Sequence, residues 1–206
     1  MESDSYLTIK AFSQGLYKEK GSRFIGLIYP VSGQDEVKAI LEKVRKQYHD
    51  ARHHCFAWVL GRDKQNYRVN DDGEPSGTAG KPILGQISSH GLTDVLIVVV
   101  RYFGGKLLGV SGLINAYRSA AESAINNGET VELFIQDFYE LSFPYPALNE
   151  VMKILRDEDI NKSEQKFQLE CCININFRRS KREKILKRFS RIEGLKYKLI
   201  TDGSSV

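Results

Sequence analysis

The chain has 206 residues, 41% of them hydrophobic and 27% charged, with a net charge of +4. This composition excludes bulk disorder, and three cysteines, two of them adjacent (Cys171 and Cys172), exclude a disulfide scaffold. No apolar run reaches the length of a membrane span, and the acidic start Met1-Glu2-Ser3-Asp4-Ser5 is unlike a signal peptide, so a reducing cytoplasm and no membrane partner are expected.

In chain order, residues 6–12 alternate loosely and predict a strand. A second strand, residues 23–29, follows a Gly21-Ser22 turn. After the break at residues 30–33 comes a helix over 34–48, with Val37, Ile40, Leu41 and Val44 at helical spacing. Residues 54–61 are strand-like and pair with 67–69 across Arg62-Asp63-Lys64-Gln65. A glycine-rich loop leads into a short helix over 83–89, with Pro82 near its first turn and Gly91 past its end. Residues 93–102 form the clearest strand. Its continuous β-branched run predicts a central position. A second glycine loop then reaches Ser111, the expected N-cap of a helix running to about Asn126, and Asn127-Gly128 ends it.

A domain boundary is expected near Gly128. Beyond it the order is a long strand over 130–143, a helix from 144–146 to about Asp157, strands at 161–166 and 168–177, a basic helix over 180–192 and a strand over 195–200. That is β-α-β-β-α-β, the ferredoxin-like order. The expected fold is therefore α+β in two domains, residues 1–128 and 129–206.

The two glycine loops are the most informative segments. The first reads Asp71-Asp72-Gly73-Glu74-Pro75-Ser76-Gly77-Thr78-Ala79-Gly80-Lys81-Pro82. The second reads Val99-Val100-Arg101-Tyr102-Phe103-Gly104-Gly105-Lys106-Leu107-Leu108-Gly109. Glycine lets backbone N–H groups turn toward a ligand, and a helix N-terminus carries partial positive charge. Gly73, Gly77, Gly80, Gly104 and Gly105 form the loops. Lys81, Arg101 and Lys106 add full charges, Arg118 lies on the following helix, and His53 is a candidate groove residue. Neither loop meets the phosphate-loop pattern, because Pro75 and Val100 stand where its first glycine belongs and Pro82 and Leu107 where its hydroxyl belongs. Anion contact by backbone and lysine stays open, beside two tight turns that need glycine for positive φ.

Other constellations carry less. Asp71, Asp72 and Glu74 lack the spacing of a calcium loop, and an acidic turn or arginine pairing is the better account. In His53-His54-Cys55 the side chains alternate across a strand and no second ligand pair stands at zinc spacing, so no metal and no cofactor are expected. The basic helix and its approach carry Arg178, Arg179, Lys181, Arg182, Lys184, Lys187, Arg188 and Arg191 against one acid, Glu183. Ile185, Leu186, Phe189 and Ile192 form its buried stripe. It is either a solvated face or a phosphate-tracking one, and the density of cations favours the second, with Arg178, Arg179, Arg182 and Arg188 as contacts.

The two loops, together with Ala51-Arg52-His53-His54-Cys55-Phe56-Ala57 and the helix around Leu113, Ala116 and Tyr117, resemble the Impact/YigZ family. The resemblance covers most of residues 1–128, and the rest fits the bacterial form by element order and length. It implies an N-terminal domain of the ribosomal-protein β-α-β type, as in domain IV of elongation factor G, and a C-terminal domain like domain V of that factor. Eukaryotic relatives carry a different extra domain and regulate translation through a protein partner. That domain is not expected in these residues, so the partner is not carried over. No enzymatic activity comes with the resemblance. The expectation is a cytoplasmic, non-enzymatic protein that binds nucleic acid or a ribosome-associated surface and regulates translation. The rivals are a protein-binding regulator using the glycine-loop groove, and an enzyme acting on an anionic substrate.

Overall fold

The computed structural model describes residues 4–167 and 170–201. The chain divides into two compact units. One is Tyr6–Leu133, and the other holds Phe134 onward together with the segment ending at Ser5.

In the first unit, strands β1 (Ser5–Ile9), β2 (Ser13–Glu19) and β3 (Ser22–Pro30) precede helix α1 (Gln34–Gln47). Then come β4 (His53–Leu60), β5 (Asn66–Asn70), α2 (Gly80–Ser89), β6 (Val95–Tyr102) and α3 (Gly109–Asn126). Five strands form one antiparallel sheet in the order β2-β3-β6-β4-β5. β6 is central and buried on both faces, which is why its sequence shows no alternation. Val95, Ile97 and Val99 pack toward α2 and α3, whereas Leu96, Val98 and Val100 pack toward α1. α1 keeps Asp35 and Glu36 in its first turn and Arg45 and Lys46 in its last, in accord with the helix dipole.

α3 lies unusually close to the sheet. Gly15 and Gly26 face each other across β2 and β3. A Cβ on Gly26 would sit 2.2 Å from the Ala120 carbonyl oxygen, and one on Gly15 would sit 2.4 Å from the Ala124 backbone nitrogen. The buried alanines Ala116, Ala120, Ala121 and Ala124 complete this seam from the helix side.

A short strand β7 (Thr130–Phe134) pairs with β1. The second unit then runs β8 (Gln136–Pro144), α4 (Leu148–Asp157), β9 (Asn161–Phe167), β10 (Glu170–Arg178), α5 (Arg182–Phe189) and β11 (Lys196–Thr201). Its four strands lie in the order β11-β8-β10-β9, all antiparallel. Tyr139, Leu141, Phe143, Ile173 and Ile175 pack from the sheet against Val151, Ile154, Ile185 and Phe189 of the helices.

Four expectations need correction. β2 was not anticipated, because Ser-Gln-Gly-Leu-Tyr-Lys-Glu is an edge strand whose glycine serves the α3 contact and whose alternate residues are exposed. Ser111 is not an N-cap: α3 begins two residues earlier, with Leu108 at the cap position and no side-chain cap. The long strand over 130–143 breaks at buried Ile135, whose N–H donates to the Asp4 carbonyl at 2.7 Å, and so becomes β7 and β8. The basic helix is shorter than 180–192, with a 3₁₀ turn at Arg179–Lys181 ahead of α5. The expected strand start at residues 168 and 169 lies outside the described residues.

Candidate functional site

The first glycine loop is wired by its own acids. The Asp71 carboxylate accepts hydrogen bonds from the backbone N–H groups of Gly77 (2.8 Å), Ala79 (3.0 Å) and Gly80 (2.8 Å). It occupies the start of α2, the place where an external anion would sit. Burial pushes its pKa up, but the three N–H donors and nearby Lys81 more than offset this, and it lies below the ordinary carboxylate value. Asp72 accepts from the His54 backbone N–H at 2.7 Å and from Arg45 at 2.9 Å. Gly73 and Gly77 hold φ of +86° and +76°, a region that glycine enters without strain.

Glu74 turns inward. It pairs with Arg101, and the Tyr117 hydroxyl donates to it at 2.8 Å. Arg101 is only 6% exposed, and its guanidinium also packs between the rings of Phe24 and Phe103 at 5.3 and 5.6 Å. His53 lies beside this pair. Its Nδ1 is 2.8 Å from the Asp72 carbonyl, which only accepts, so Nδ1 carries the proton and Nε2 faces Glu74 at 3.9 Å. The Cys55 thiol donates to the Asp71 carbonyl at 3.0 Å and lies 3.3 Å from the Tyr117 hydroxyl. Burial pushes both the Cys55 thiol and the Tyr117 phenol well above their ordinary values. A thiol held neutral in this way is a structural group, not a nucleophile. Arg101 and His53 therefore belong to an internal network that ties the two glycine loops together.

Open cations lie elsewhere. A groove of about 550 Å³ between α2 and α3 is lined by Gly77, Lys81, Pro82, Gly85, Gln86, Ile114 and Arg118. Lys81 and Arg118 are both exposed, and among the described residues neither stands within ion-pair distance of an acid, although Lys81 is near enough to Asp71 to act on its charge. The structure thus joins two expected site residues that stand 37 positions apart in sequence. Lys81 and Gly85 share one face of α2, and Ile114 and Arg118 share one face of α3, both at i, i+4. Gln86 and Ile114 were not anticipated. Their helical spacing was visible, but not the meeting of the two faces.

Lys106 is exposed and does not line this groove. Gly104 does not face a ligand either. It presses on the β2–β3 turn, where a Cβ would lie 1.9 Å from the Gly21 carbonyl carbon. Gly105, with φ of +82°, lies in open space.

The basic segment is largely neutralised by acids distant in sequence. Arg178 pairs with Asp4 at 3.1 Å. Arg179 and Arg182 share Asp137, at 3.2 and 2.7 Å, and that carboxylate side chain is fully buried. Lys184 and Arg188 bind Glu158, at 2.8 and 2.7 Å, and Arg188 also binds Asp157 at 2.7 Å. These partners hold the carboxyls of Glu158 and Asp157 below their ordinary values, and a hydrogen bond from Ser180 together with Arg178 does the same for Asp4. The charges assigned to a phosphate track are thus engaged within the unit itself. Lys187 and Arg191 are exposed and have no acidic partner among the described residues.

The fold and its groove define a two-unit α+β protein whose signature loops brace its interior beside a cationic cleft. The Impact N-terminal domain family model matches residues 20–125. IMPACT family member YigZ of Escherichia coli (strain K12) is 41% identical over 155 residues, covering 73% of this chain and 76% of that protein. IMPACT family member YvyE of Bacillus subtilis (strain 168) is 37% identical over 153 residues, covering 74% of this chain and 70% of that protein. A crystal structure described as that of a hypothetical protein is 34% identical, with a TM-score of 0.70, and covers 97% of this chain and 98% of its own. The chain belongs to the IMPACT family.

Proposed function

We propose that this chain is a non-enzymatic RNA-binding protein that works at the ribosome or on ribosome-bound RNA and so regulates translation. The observation that carries the reading is the α2–α3 groove, where Lys81 and Arg118 reach solvent and, among the described residues, neither stands within ion-pair distance of an acid. Two cations across an open cleft, with the amide of Gln86 beside them, suit a phosphate backbone and not a base-specific contact. On this reading the N-terminal unit corresponds to domain IV of elongation factor G and the C-terminal unit to domain V.

The test is fluorescence anisotropy with a labelled single-stranded RNA over a salt series. Lys81→Ala and Arg118→Ala should weaken binding of all sequences alike and shallow the log–log salt slope by roughly 0.7 per lost contact. An unchanged slope and affinity in the double variant, or no binding by the parent, refutes the assignment.

A further inference from the structure

We propose that the second glycine loop and the first turn of α3 form a docking surface for an acidic, apolar protein segment, next to the α2–α3 groove and distinct from its cations. Leu107 is 85% exposed, Val110 59% and Phe103 42%, so three large apolar side chains reach solvent within eight residues. Single exposed apolar residues are ordinary, but a group of them rimmed by charge marks an interaction site.

The base under this group is firm. Phe103 follows directly on the central strand β6, and Gly104 is locked on the β2–β3 turn, where its N–H donates to the Ser22 hydroxyl at 3.1 Å. The same contact brings Lys20, at the tip of that turn, beside the loop. Lys20 and Lys106 are exposed, and neither has an acidic partner among the described residues. Glu19 and Asp50 accept from the Tyr17 and Tyr102 hydroxyls at 3.2 and 2.8 Å and keep their charge, but residues 20–23 and 101–112 carry no acid. The rim that borders the apolar group is therefore positive.

That pattern selects the occupant. Apolar side chains of a partner cover Leu107, Val110 and Phe103, while its carboxylates meet Lys20 and Lys106. A membrane is the poorer fit, because stable attachment takes a second anchor or a cluster of about four to eight cations, and the rim supplies two. RNA gains little from Leu107 and Val110, which offer neither stacking planes nor hydrogen bonds. A peptide covering so small a surface binds weakly and reversibly, in the low-area class of interfaces.

The experiment is selection from a random peptide library displayed on phage. The parent protein is the bait, and the Leu107→Ser/Val110→Ser variant is used for counter-selection. The surviving pool should be rich in Asp and Glu interleaved with Leu, Phe or Trp. A synthetic peptide from that pool should bind the variant about tenfold more weakly or worse. Lys20→Glu/Lys106→Glu should weaken the peptide similarly, and a peptide with its acids changed to lysine should recover binding to that charge-reversed protein. Leu107 and Val110 are exposed, so the melting temperature should stay with the parent's. A pool that is basic or uncharged overturns the proposal, as does an empty one. So does binding of phosphatidylcholine–phosphatidylserine vesicles that Leu107→Ser/Val110→Ser abolishes, which makes the surface a membrane contact.

Discussion

Replacing Arg182 with alanine separates a structural basic helix from a solvated one. In sequence, Arg182 is one cation among eight, and its loss should cost no more than about half a kcal/mol, as for other exposed positions. In the structure its Nε donates at 2.7 Å to Oδ2 of Asp137, a fully buried carboxylate side chain whose other oxygen accepts from Arg179 at 3.2 Å. Alanine leaves that carboxylate with half its ionic support. Breaking a wholly buried ion pair costs about 3–5 kcal/mol, and losing a hydrogen bond to a charged group about 1.5–3 kcal/mol. Arg182's side chain is 37% exposed and Arg179 remains, so the lower range applies, and we take about 2 kcal/mol. For a domain of 60–100 residues this lowers the melting temperature by about 8–16 °C. The chain has a single tryptophan, Trp58, on β4 of the first unit, so its fluorescence reports that unit and far-UV circular dichroism reports both. Arg182→Ala should bring forward a circular-dichroism transition and leave the Trp58 transition in place. Adding Asp137→Asn should cost less than the sum of the two single changes, because the pair is coupled. A loss within about half a kcal/mol, with additive costs, refutes the reasoning and returns Arg182 to the candidate phosphate contacts.

Four further outcomes follow from the geometry. Gly26→Ala drives a methyl into the Ala120 carbonyl and should cost about 1–3 kcal/mol in the Trp58 urea transition, whereas Gly85→Ala, with open space around its Cβ, should gain about 0.5–1 kcal/mol. Asp71→Asn should lose about 1–3 kcal/mol at neutral pH, because the amide NH2 replaces one of the two acceptor oxygens and leaves a backbone N–H of the loop without its partner. The folded Asp71 pKa is depressed, so its contribution is complete above the unfolded value of about 4 and disappears as pH falls through the folded one. Parent and variant urea midpoints should therefore converge in acid. Cys55, buried and with its thiol pKa raised, should resist Ellman's reagent until the first unit unfolds, while half-buried Cys172 reacts natively. Finally, residues 1–133 expressed alone should melt cooperatively, and a gradual transition would mean that the two units share one core.

Local sequence determined most of the elements, because their signals act over a few residues. The run from Val95 to Val100 announces a strand buried on both faces, and Val37 with Val44 mark the inner side of α1. The β-α-β-β-α-β order after residue 134 follows from the same short-range patterning. The family, too, was legible in the two glycine loops. What those loops do was not, because it depends on partners tens of residues away. Arginine pairing was among the readings of this acidic turn, but not that Arg101 and Tyr117 close on Glu74 or that three backbone N–H groups take the Asp71 carboxylate. The same holds for the basic helix, where counting nearby acids found only Glu183. The neutralising carboxylates come from Asp4, Asp137, Asp157 and Glu158, on segments that only folding brings alongside. Periodicity and capping act along the chain, whereas an ion pair depends on distance through space. The chain therefore showed which charges it carries, and only the tertiary structure decided that Lys81 and Arg118 line a groove while Arg101 and Arg182 pair with Glu74 and Asp137.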